Sequence, residues 1–200
     1  MKIAMLLSGG VDSSVALRLL LDQGHDVTAF YIKVWLEEEF AGLGDCPWEE
    51  DVGYARAVCE QLGVPLKIIP LQAEYFERIV SYAVAELKAG RTPSPDVYCN
   101  RRIKFGAFLE TIGDDYERVA TGHYARVEER DGRAHLMRAP DPIKDQTYFL
   151  CMLLQDQVKR IIFPLGDYVK SEVRDMAQTF DLPTKSRKDS QGICFLGKVR

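Results

Sequence analysis

A turn of two glycines separates an apolar segment from a helical one near the start of the chain. Residues 2–7 are almost all apolar, the turn reads Ser8-Gly9-Gly10-Val11-Asp12-Ser13-Ser14, and residues 13–23 carry leucines at helical spacing. Glycine permits a tight turn in which backbone N–H groups converge, and the start of a helix adds the positive end of its dipole. The segment therefore predicts a strand, a turn and a helix that together bind a phosphate or pyrophosphate group.

This turn differs from the two commoner phosphate-binding patterns. It lacks the third glycine of the dinucleotide pattern and the Gly-Lys-Ser/Thr of the Walker pattern. Asp12 would repel a phosphate unless Mg²⁺ lay between them, so its presence favours a metal-bridged nucleotide. The residues alone leave one alternative open, an ordinary strand-to-helix turn that is rich in glycine and serine.

Strands alternate with helices along the first part of the chain. Residues 26–34, 66–71 and 118–121 are apolar and rich in β-branched side chains, and residues 49–62 and 72–89 have helical periodicity. Such alternation is typical of a parallel, doubly wound sheet. We therefore predict a Rossmann-like α/β fold.

The helix expected at 72–89 is amphipathic, and a proline-rich segment follows it. Its buried side should consist of Phe76, Ile79, Val80, Ala83, Val84 and Leu87. Pro93 and Pro95 predict an extended, exposed loop at 91–100, and a further helix is expected at 105–112.

The pattern changes after residue 123. Residues 124–138 alternate around Asp131-Gly132, which predicts an antiparallel hairpin inserted into the fold. Helices are expected at 146–154 and 170–180. We therefore predict a phosphate-binding domain at 1–144, with the hairpin insertion at about 124–138, and a smaller helical subdomain at 145–200.

Charge and hydropathy limit the classes of partner. The net charge is −4, so any nucleic-acid surface has to be a local patch, for example Arg101, Arg102 and Lys104. No apolar run approaches the roughly 20 residues that span a bilayer. We therefore expect a soluble, cytoplasmic protein without a membrane partner.

The five cysteines are candidates for chemistry because they do not form a pairing pattern. Cys46, Cys59, Cys99, Cys151 and Cys194 are widely separated and lack the spacing of zinc sites or secreted disulfide frameworks. Cys99 has a cationic setting that favours a reactive thiolate, and Cys194 lies between glycines. Cys59 and Cys151 fall within apolar helical patterns and are expected in the core, which is also the commoner fate of a lone cysteine.

The glycine turn resembles the pyrophosphate-binding loop of the N-type ATP pyrophosphatases, which cleave ATP to AMP and pyrophosphate while adenylating a substrate. Four further segments resemble, in order and spacing, those of the bacterial and organellar tRNA 2-thiouridylases. They are RTPSPDVYCN (91–100), ATGHY (120–124), KDQTYFL (144–150) and DSQGICFLG (189–197). Ser94 stands where this family more usually has asparagine.

The resemblance implies a fold, cofactors and site residues. The fold would be a Rossmann-like sheet of the adenine nucleotide alpha hydrolase-like type, with an ATP-binding domain at 1–144 and a tRNA-contacting subdomain at 145–200. ATP and Mg²⁺ would be held through Leu6, Leu7, Ser8, Gly9, Gly10, Val11, Asp12, Ser13, Ile32 and Gly122. The tRNA would contact Ser94, Pro95, Asp96, His123, Lys144, Asp145 and Gln146, although a structural role for His123 is equally consistent with its place after a strand.

The resemblance also implies different chemical roles for two cysteines. Cys194 would carry sulfur as a persulfide, received from an upstream sulfur carrier or a cysteine desulfurase. ATP would adenylate the 2-carbonyl oxygen of the wobble uridine, and the persulfide sulfur would displace AMP. Cys99 would then form a disulfide with Cys194 or release hydrogen sulfide from the persulfide, and Asp96 would act as acid or base.

Three alternatives stay open at this point. The chain could be a nucleotide-binding core without full activity, since the family continues into a small central domain and a C-terminal β-barrel. It could hold a [4Fe-4S] cluster on Cys46, Cys99 and Cys194. It could also be another ATP pyrophosphatase, such as an amidotransferase or a lysidine-forming enzyme, which would give the two signature cysteines no role.

Overall fold

Parallel strands form the central sheet of this protein, and a hairpin lies beside it. The computed structural model describes residues 1–34 and 48–189. The strands are β1 (Lys2–Leu6), β2 (Asp26–Lys33), β3 (Leu66–Pro70), β4 (Arg118–Ala120), β5 (Ala125–Arg130), β6 (Arg133–Arg138) and β7 (Ile161–Ile162). The main sheet has the order β3-β2-β1-β4-β7 with every neighbouring pair parallel, and β5 pairs with β6. The expected α/β class is confirmed.

The strand order places a crevice next to β1. Within the sheet, β2 and β3 lie on one side of β1, and β4 and β7 lie on its other side. In such sheets ligands bind beyond the carboxyl ends of the strands, where the order reverses. The glycine turn after β1 and the residues after β4 therefore meet at the favoured position.

Helices cover the sheet. They are α1 (Val11–Asp22), α2 (Trp48–Leu62), α3 (Gln72–Tyr75), α4 (Ser81–Lys88), α5 (Pro95–Cys99), α6 (Phe108–Ile112), α7 (Gln155–Lys159) and α8 (Lys170–Thr179). A π-helical stretch, Phe76–Val80, joins α3 to α4, and another, Asn100–Ala107, joins α5 to α6. None of the helices in the described ranges is long and apolar enough to cross a membrane.

Two cores lie on the two faces of the sheet, as alternation along β1 requires. Ile3 and Met5 pack with residues of α1, α2 and α8, whereas Ala4 and Leu6 pack with the aromatic residues near α6. Successive strand residues point to opposite faces, so a strand buried on both sides is apolar throughout. This explains the unbroken apolar run of β1.

The hairpin forms where the sequence predicted it. Asp131 and Gly132 link β5 to β6, and both have positive φ, 51° and 71°. Two residues with positive φ make the mirror-image turn that matches the twist of antiparallel strands. The hairpin prediction is confirmed.

The buried side predicted for residues 72–89 is partly wrong. Ile79 and Ala83 are buried, but Phe76, Val84 and Leu87 are exposed, Leu87 by 63%. The π-helical stretch changes the phase of the helix, because its bonds join residues five apart instead of four. A regular 3.6-residue period therefore assigns the later residues to the wrong face.

The prediction of an extended loop at 91–100 is wrong from Pro95 onward, whereas residues 91–94 form neither helix nor strand. Pro95 begins α5, and the helical backbone continues without a break through the second π-helical stretch and α6 to Ile112. Proline is well tolerated in the first helical turn, where its missing N–H would have no intrahelical partner. As a result Cys99 lies inside a helix and is only 6% exposed.

The residues after 145 contribute to the same cores as the first part of the chain. A 3₁₀ turn, Thr147–Leu150, stands where a longer helix was expected, and the short strand β7 joins the main sheet. Leu165, Val173 and Ala177 pack in the core cluster that contains α1. The division into a domain at 1–144 and a subdomain at 145–200 stays a prediction, although Leu165, Val173 and Ala177 share a core cluster with α1.

Ile79→Ala and Val84→Ala test the altered phase of the helix. Ile79 is fully buried and Val84 is 43% exposed. We expect Ile79→Ala to lower the free energy of unfolding by about 2–5 kcal/mol, since it leaves a cavity. Val84→Ala should change it by less than about 0.5 kcal/mol. Urea denaturation followed by circular dichroism measures both, and equal losses would contradict the assigned faces.

Candidate functional site

The glycine turn follows β1 and lies against α2 and α1. Gly9 has a φ of +75°, and a Cβ at this position would lie 2.2 Å from the Asp51 carbonyl oxygen in α2. Any side chain would be strained by the backbone angle and blocked by Asp51. Glycine is therefore required here, as the turn predicted.

Hydrogen bonds fold the turn onto the start of α1. The Gly10 carbonyl accepts bonds from the Ser14 N–H at 3.2 Å, the Ser14 hydroxyl at 2.8 Å and the Ser13 hydroxyl at 3.1 Å. The Ser8 N–H donates to Ser13 Oγ at 3.3 Å. First-turn N–H groups of a helix have no partner within the helix, so this end of α1 can bind an anion.

Gly122, two residues after β4, touches the same helix. A Cβ on Gly122 would lie 2.8 Å from the Ser13 nitrogen and 2.9 Å from the Asp12 carbonyl carbon. Ile32, near the end of β2, lies in the strand adjacent to β1 and pairs with Ile69. The structure thus places Gly122 against the turn, and Ile32 in the neighbouring strand near the same edge of the sheet.

Asp12 is held by two groups that local sequence patterns did not connect with it. The Tyr124 hydroxyl donates to Asp12 Oδ1 at 3.0 Å, and Lys170 Nζ lies 2.5 Å from the same oxygen. Burial, together with the negative charge of Asp12, raises the pKa of Tyr124 well above its ordinary value, so the hydroxyl keeps its proton. Lys170 is 158 residues from Asp12 in the sequence.

Asp189 extends this charge cluster. It accepts bonds from Lys170 at 2.9 Å, from Lys144 at 2.8 Å and from Arg174. Burial alone would raise the pKa of Asp189, but the hydrogen bonds from Lys144 and Lys170 outweigh it and lower the pKa below its ordinary value. A carboxyl with a lowered pKa keeps its charge at neutral pH, and the stability it contributes is lost as the pH falls through that value.

The residues near Asp12 fit Mg²⁺ only in the company of a phosphate ligand. Asp12 offers one partly exposed carboxylate, and no group of three His, Cys, Asp or Glu side chains suited to a metal occurs within residues 1–34 and 48–189. Mg²⁺ is typically bound by one or two carboxylates together with substrate phosphates and water. The donor set is consistent with a metal that arrives with a nucleotide.

Cys99 is the last residue of α5, the helix that begins at Pro95. Asn100 donates from Nδ2 to the Asp96 carbonyl at 3.1 Å and to the Phe149 carbonyl at 3.3 Å. The Asn100 amide oxygen is buried and has no partner among the described residues. Asp96 is partly exposed, one turn before Cys99. The structure brings Asp96, Cys99 and the 3₁₀ turn after Gln146 together.

Part of the cationic patch expected at 101–104 makes contacts within the protein. Arg102 donates to the Arg78 carbonyl at 2.8 Å and lies over the Tyr98 ring at 4.3 Å. Pro95 is buried, whereas Ser94 is exposed and donates its N–H to the Tyr82 hydroxyl at 3.3 Å. Contacts of Ser94 and Pro95 with tRNA stay predictions.

Residues 144–146 adjoin the charge cluster. Gln146 accepts from the Tyr124 N–H at 3.1 Å and donates its own N–H to the Tyr124 carbonyl at 3.0 Å. Asp145 accepts from the Thr147 hydroxyl at 2.9 Å and from Arg138 at 2.9 Å. Lys144 pairs with Asp189, so the three predicted tRNA contacts have partners inside the protein.

His123 has the surroundings of a structural histidine. Its Nδ1 lies 2.8 Å from the Thr121 hydroxyl, and its ring lies between Phe105 and Phe163 with centroid distances of 6.4 and 6.1 Å. Burial, and to a lesser extent Lys104, holds the pKa of His123 well below its ordinary value, so it is neutral at pH 7. Its contact with tRNA stays a prediction.

The burial of the cysteines agrees only in part with the expectation. Cys59 is buried, as predicted, and burial together with Glu60 raises the pKa of its thiol to about 11. The expectation that Cys151 is a core residue is wrong, because it follows the 3₁₀ turn and is exposed. Cys46 and Cys194 lie outside the described residues, and so do the predicted Cys99–Cys194 disulfide and the three-cysteine cluster site.

Comparison with known proteins assigns the family. A family model described as "tRNA methyl transferase HUP domain" matches residues 1–198. The chain belongs to this family. A relative from Akkermansia muciniphila, named tRNA-specific 2-thiouridylase MnmA, is 50% identical over all of this chain, and one of the same name from Parabacteroides distasonis is 48% identical. The chain spans 56% and 55% of the lengths of these two relatives.

A solved structure supports the fold of this HUP domain. A 4-thiouridine synthetase, determined with RNA and bound ATP, matches 96% of this chain and 44% of its own with a TM-score of 0.57. The sequences are 17% identical, so the likeness concerns the fold alone.

Alkylation by iodoacetamide tests the two cysteine environments. At pH 8 we expect Cys151 to react much faster than Cys59, because Cys151 is exposed while Cys59 is buried with a thiol pKa of about 11. Raising the pH towards 11 should bring the alkylation rates of Cys59 and Cys151 closer together, because more of the Cys59 thiol is then ionised. Peptide mass spectrometry resolves each cysteine, and equal rates at pH 8 would contradict the assigned burial.

Proposed function

We propose that this chain is the ATP-binding and sulfur-transferring part of a tRNA 2-thiouridylase. The observation that carries the proposal is the similarity over the whole chain to relatives named for this activity, at 46–50% identity. The description of the family mentions methyl transfer, but the relatives that share about half of their residues with this chain are named for thiolation. The two signature cysteines also give thiolation a chemical basis.

The glycine turn supplies the nucleotide site in this proposal. Backbone N–H groups of residues 9–13 would bind the phosphates of ATP, and the adenine would lie against the backbone near Ile32, with Gly122 closing the opposite side. Mg²⁺ between Asp12 and the phosphates would neutralise charge as pyrophosphate leaves. Asp12 would exchange its bond with Lys170 for the metal, while Asp189 would keep the Lys170 ammonium close to the phosphates.

The reaction is a displacement in two stages. The 2-carbonyl oxygen of the wobble uridine attacks the α-phosphorus of ATP, which releases pyrophosphate and leaves an adenylated oxygen. The terminal sulfur of a Cys194 persulfide then attacks C2, and AMP departs with that oxygen. The Cys99 thiolate attacks the inner sulfur, which leaves 2-thiouridine and a Cys99–Cys194 disulfide that an external thiol must reduce. Alternatively, the Cys99 thiolate attacks the inner sulfur first, which forms the same disulfide and frees hydrogen sulfide, and the sulfide then attacks C2 and displaces AMP.

The position of Cys99 sets a requirement for this chemistry. Its side chain is only 6% exposed, so the region around α5 has to open before Cys99 can reach a persulfide or the base. Asp96 is one turn away and partly exposed, and it would exchange protons with the uracil ring as acid or base.

The proposal includes partners beyond ATP. The tRNA would lie over Ser94, Asp96 and residues 144–146, and an upstream sulfur carrier or cysteine desulfurase would load Cys194, in the cytoplasm. Since the chain spans about 55% of its relatives, the rest of such a protein would add further tRNA contacts. If this chain alone lacks them, ATP binding should persist while thiolation is weak.

Gly122→Ala tests the nucleotide site. Its methyl group would lie 2.8 Å from the Ser13 nitrogen, so the start of α1 has to shift. We expect ATP affinity to fall by about tenfold or more, roughly 1.4 kcal/mol, in calorimetric titrations. Gly53→Ala is the control, because nothing lies within 4 Å of the added methyl group in α2. Wild-type affinity in folded Gly122→Ala would contradict the proposed site.

Thiolation of unmodified tRNA tests the activity. With ATP and a persulfide source, we expect wild-type protein and the control Cys151→Ala to form 2-thiouridine and AMP. Cys99→Ala and Cys194→Ala should bind ATP normally but incorporate no sulfur. AMP release without sulfur in the wild type would indicate a nucleotide-binding core, and activity that depends on added iron and sulfide would favour the [4Fe-4S] alternative.

A further inference from the structure

Arg187 joins the glycine turn to α2. Its Nη1 donates to the Gly9 carbonyl at 2.7 Å, and its Nη2 donates to Asp51 Oδ1 at 2.7 Å. The guanidinium also lies over the Tyr54 ring at 4.4 Å, and the side chain is 19% exposed. One cation therefore holds the turn and the first part of α2 together.

The backbone of Arg187 is itself fixed. Its N–H donates to the Thr184 carbonyl at 2.9 Å, and its carbonyl accepts from Arg174 Nη1 at 2.5 Å. A side chain whose backbone is held on both sides loses less conformational freedom when it makes its bonds. Arg187 is thus suited to hold an acceptor in a defined position.

The bond to Gly9 determines the orientation of the next N–H. A trans peptide is planar, so the Gly10 N–H points away from Arg187 when the Gly9 carbonyl points towards it. The Gly10 carbonyl is held in turn by Ser13 and Ser14, which directs the Val11 N–H away from the helix. Two successive N–H groups are oriented by named bonds, as in backbone sites that bind anions.

Arg187 differs from Lys170 in its electrostatic role. Its charge is compensated by Asp51 at 2.7 Å and approached by Glu50 at 3.7 Å. Burial raises the pKa of Asp51, and the bond from Arg187 works against that rise. Both acceptors of the guanidinium belong to the protein, which favours a structural bond to the turn over a direct bond to a ligand.

We propose that Arg187 is a positioning residue that fixes the pyrophosphate-binding conformation of the glycine turn by holding the Gly9 carbonyl. The inference rests on the proposed nucleotide site. Loss of Arg187 would let the Gly9–Gly10 peptide rotate, because Gly10 has no side chain and few barriers to rotation. Binding of pyrophosphate would suffer, whereas binding of the nucleoside part would not.

The test compares Arg187→Gln and Arg187→Lys with Arg130→Gln in calorimetric titrations of pyrophosphate, ATP and AMP. Arg130 is an exposed hairpin residue that pairs with Glu128, so its variant controls for loss of a charge. Arg187→Gln should weaken pyrophosphate and ATP by about tenfold, the effect of losing one charge-assisted hydrogen bond. AMP should change by less than about twofold. Arg187→Lys should be intermediate, since an ammonium can still donate to one acceptor.

The outcomes separate this inference from the proposed function. If the wild type binds neither ATP nor pyrophosphate, the nucleotide site is wrong. If the wild type binds both and Arg187→Gln binds them equally well, the role of Arg187 is wrong. An equal loss for AMP would show a general structural effect, and a pyrophosphate loss that shrinks strongly at high salt would make Arg187 a direct ligand; both overturn the proposal. If Arg187→Gln does not fold, Arg187→Lys decides by the same criteria.

Discussion

Two close backbone contacts at the end of the sheet control the geometry of the site. Gly9 lies against the Asp51 carbonyl, and Gly122 lies against the nitrogen of Ser13. A side chain at either glycine would separate elements that must touch, because each added Cβ would fall well inside van der Waals distance. The start of α1, the end of β4 and the first turn of α2 therefore share one small region. The reversal of strand order beside β1 provides the crevice that this region borders.

Charge balance is the second constraint, since the partly buried carboxylate of Asp12 needs a compensating cation. Two carboxylates, Asp12 and Asp189, meet three cations, Lys144, Lys170 and Arg174. Partly buried carboxylates are stable as anions only with such partners. The same cluster connects the turn with Lys144, the first residue of the segment expected to contact tRNA. Nucleotide binding and RNA binding would thus involve one set of ion pairs.

The errors of the sequence interpretation have specific physical causes. Pro93 and Pro95 predict a loop, but at the first helical position the missing N–H of Pro95 has no cost, and the helix buries Cys99. The later part of the 72–89 helix was assigned to the wrong face, because a π-helical stretch changes its phase. Strand β7 has only two residues and was missed, since so short a run has no periodicity of its own. Each error concerns a local exception that tertiary packing stabilises.

The sequence by itself determined the α/β class, the hairpin at Asp131-Gly132 and the glycine turn between β1 and α1, because alternation, helical period and glycine chemistry are local properties. The tertiary structure alone decided which charges meet. Lys170 reaches Asp12 across 158 residues, and Arg187 reaches Gly9 across 178. No local pattern encodes such contacts, since they depend on how α8 and the residues after it pack against α1 and α2. The fold was therefore visible in the sequence, whereas the electrostatics of the site followed from packing.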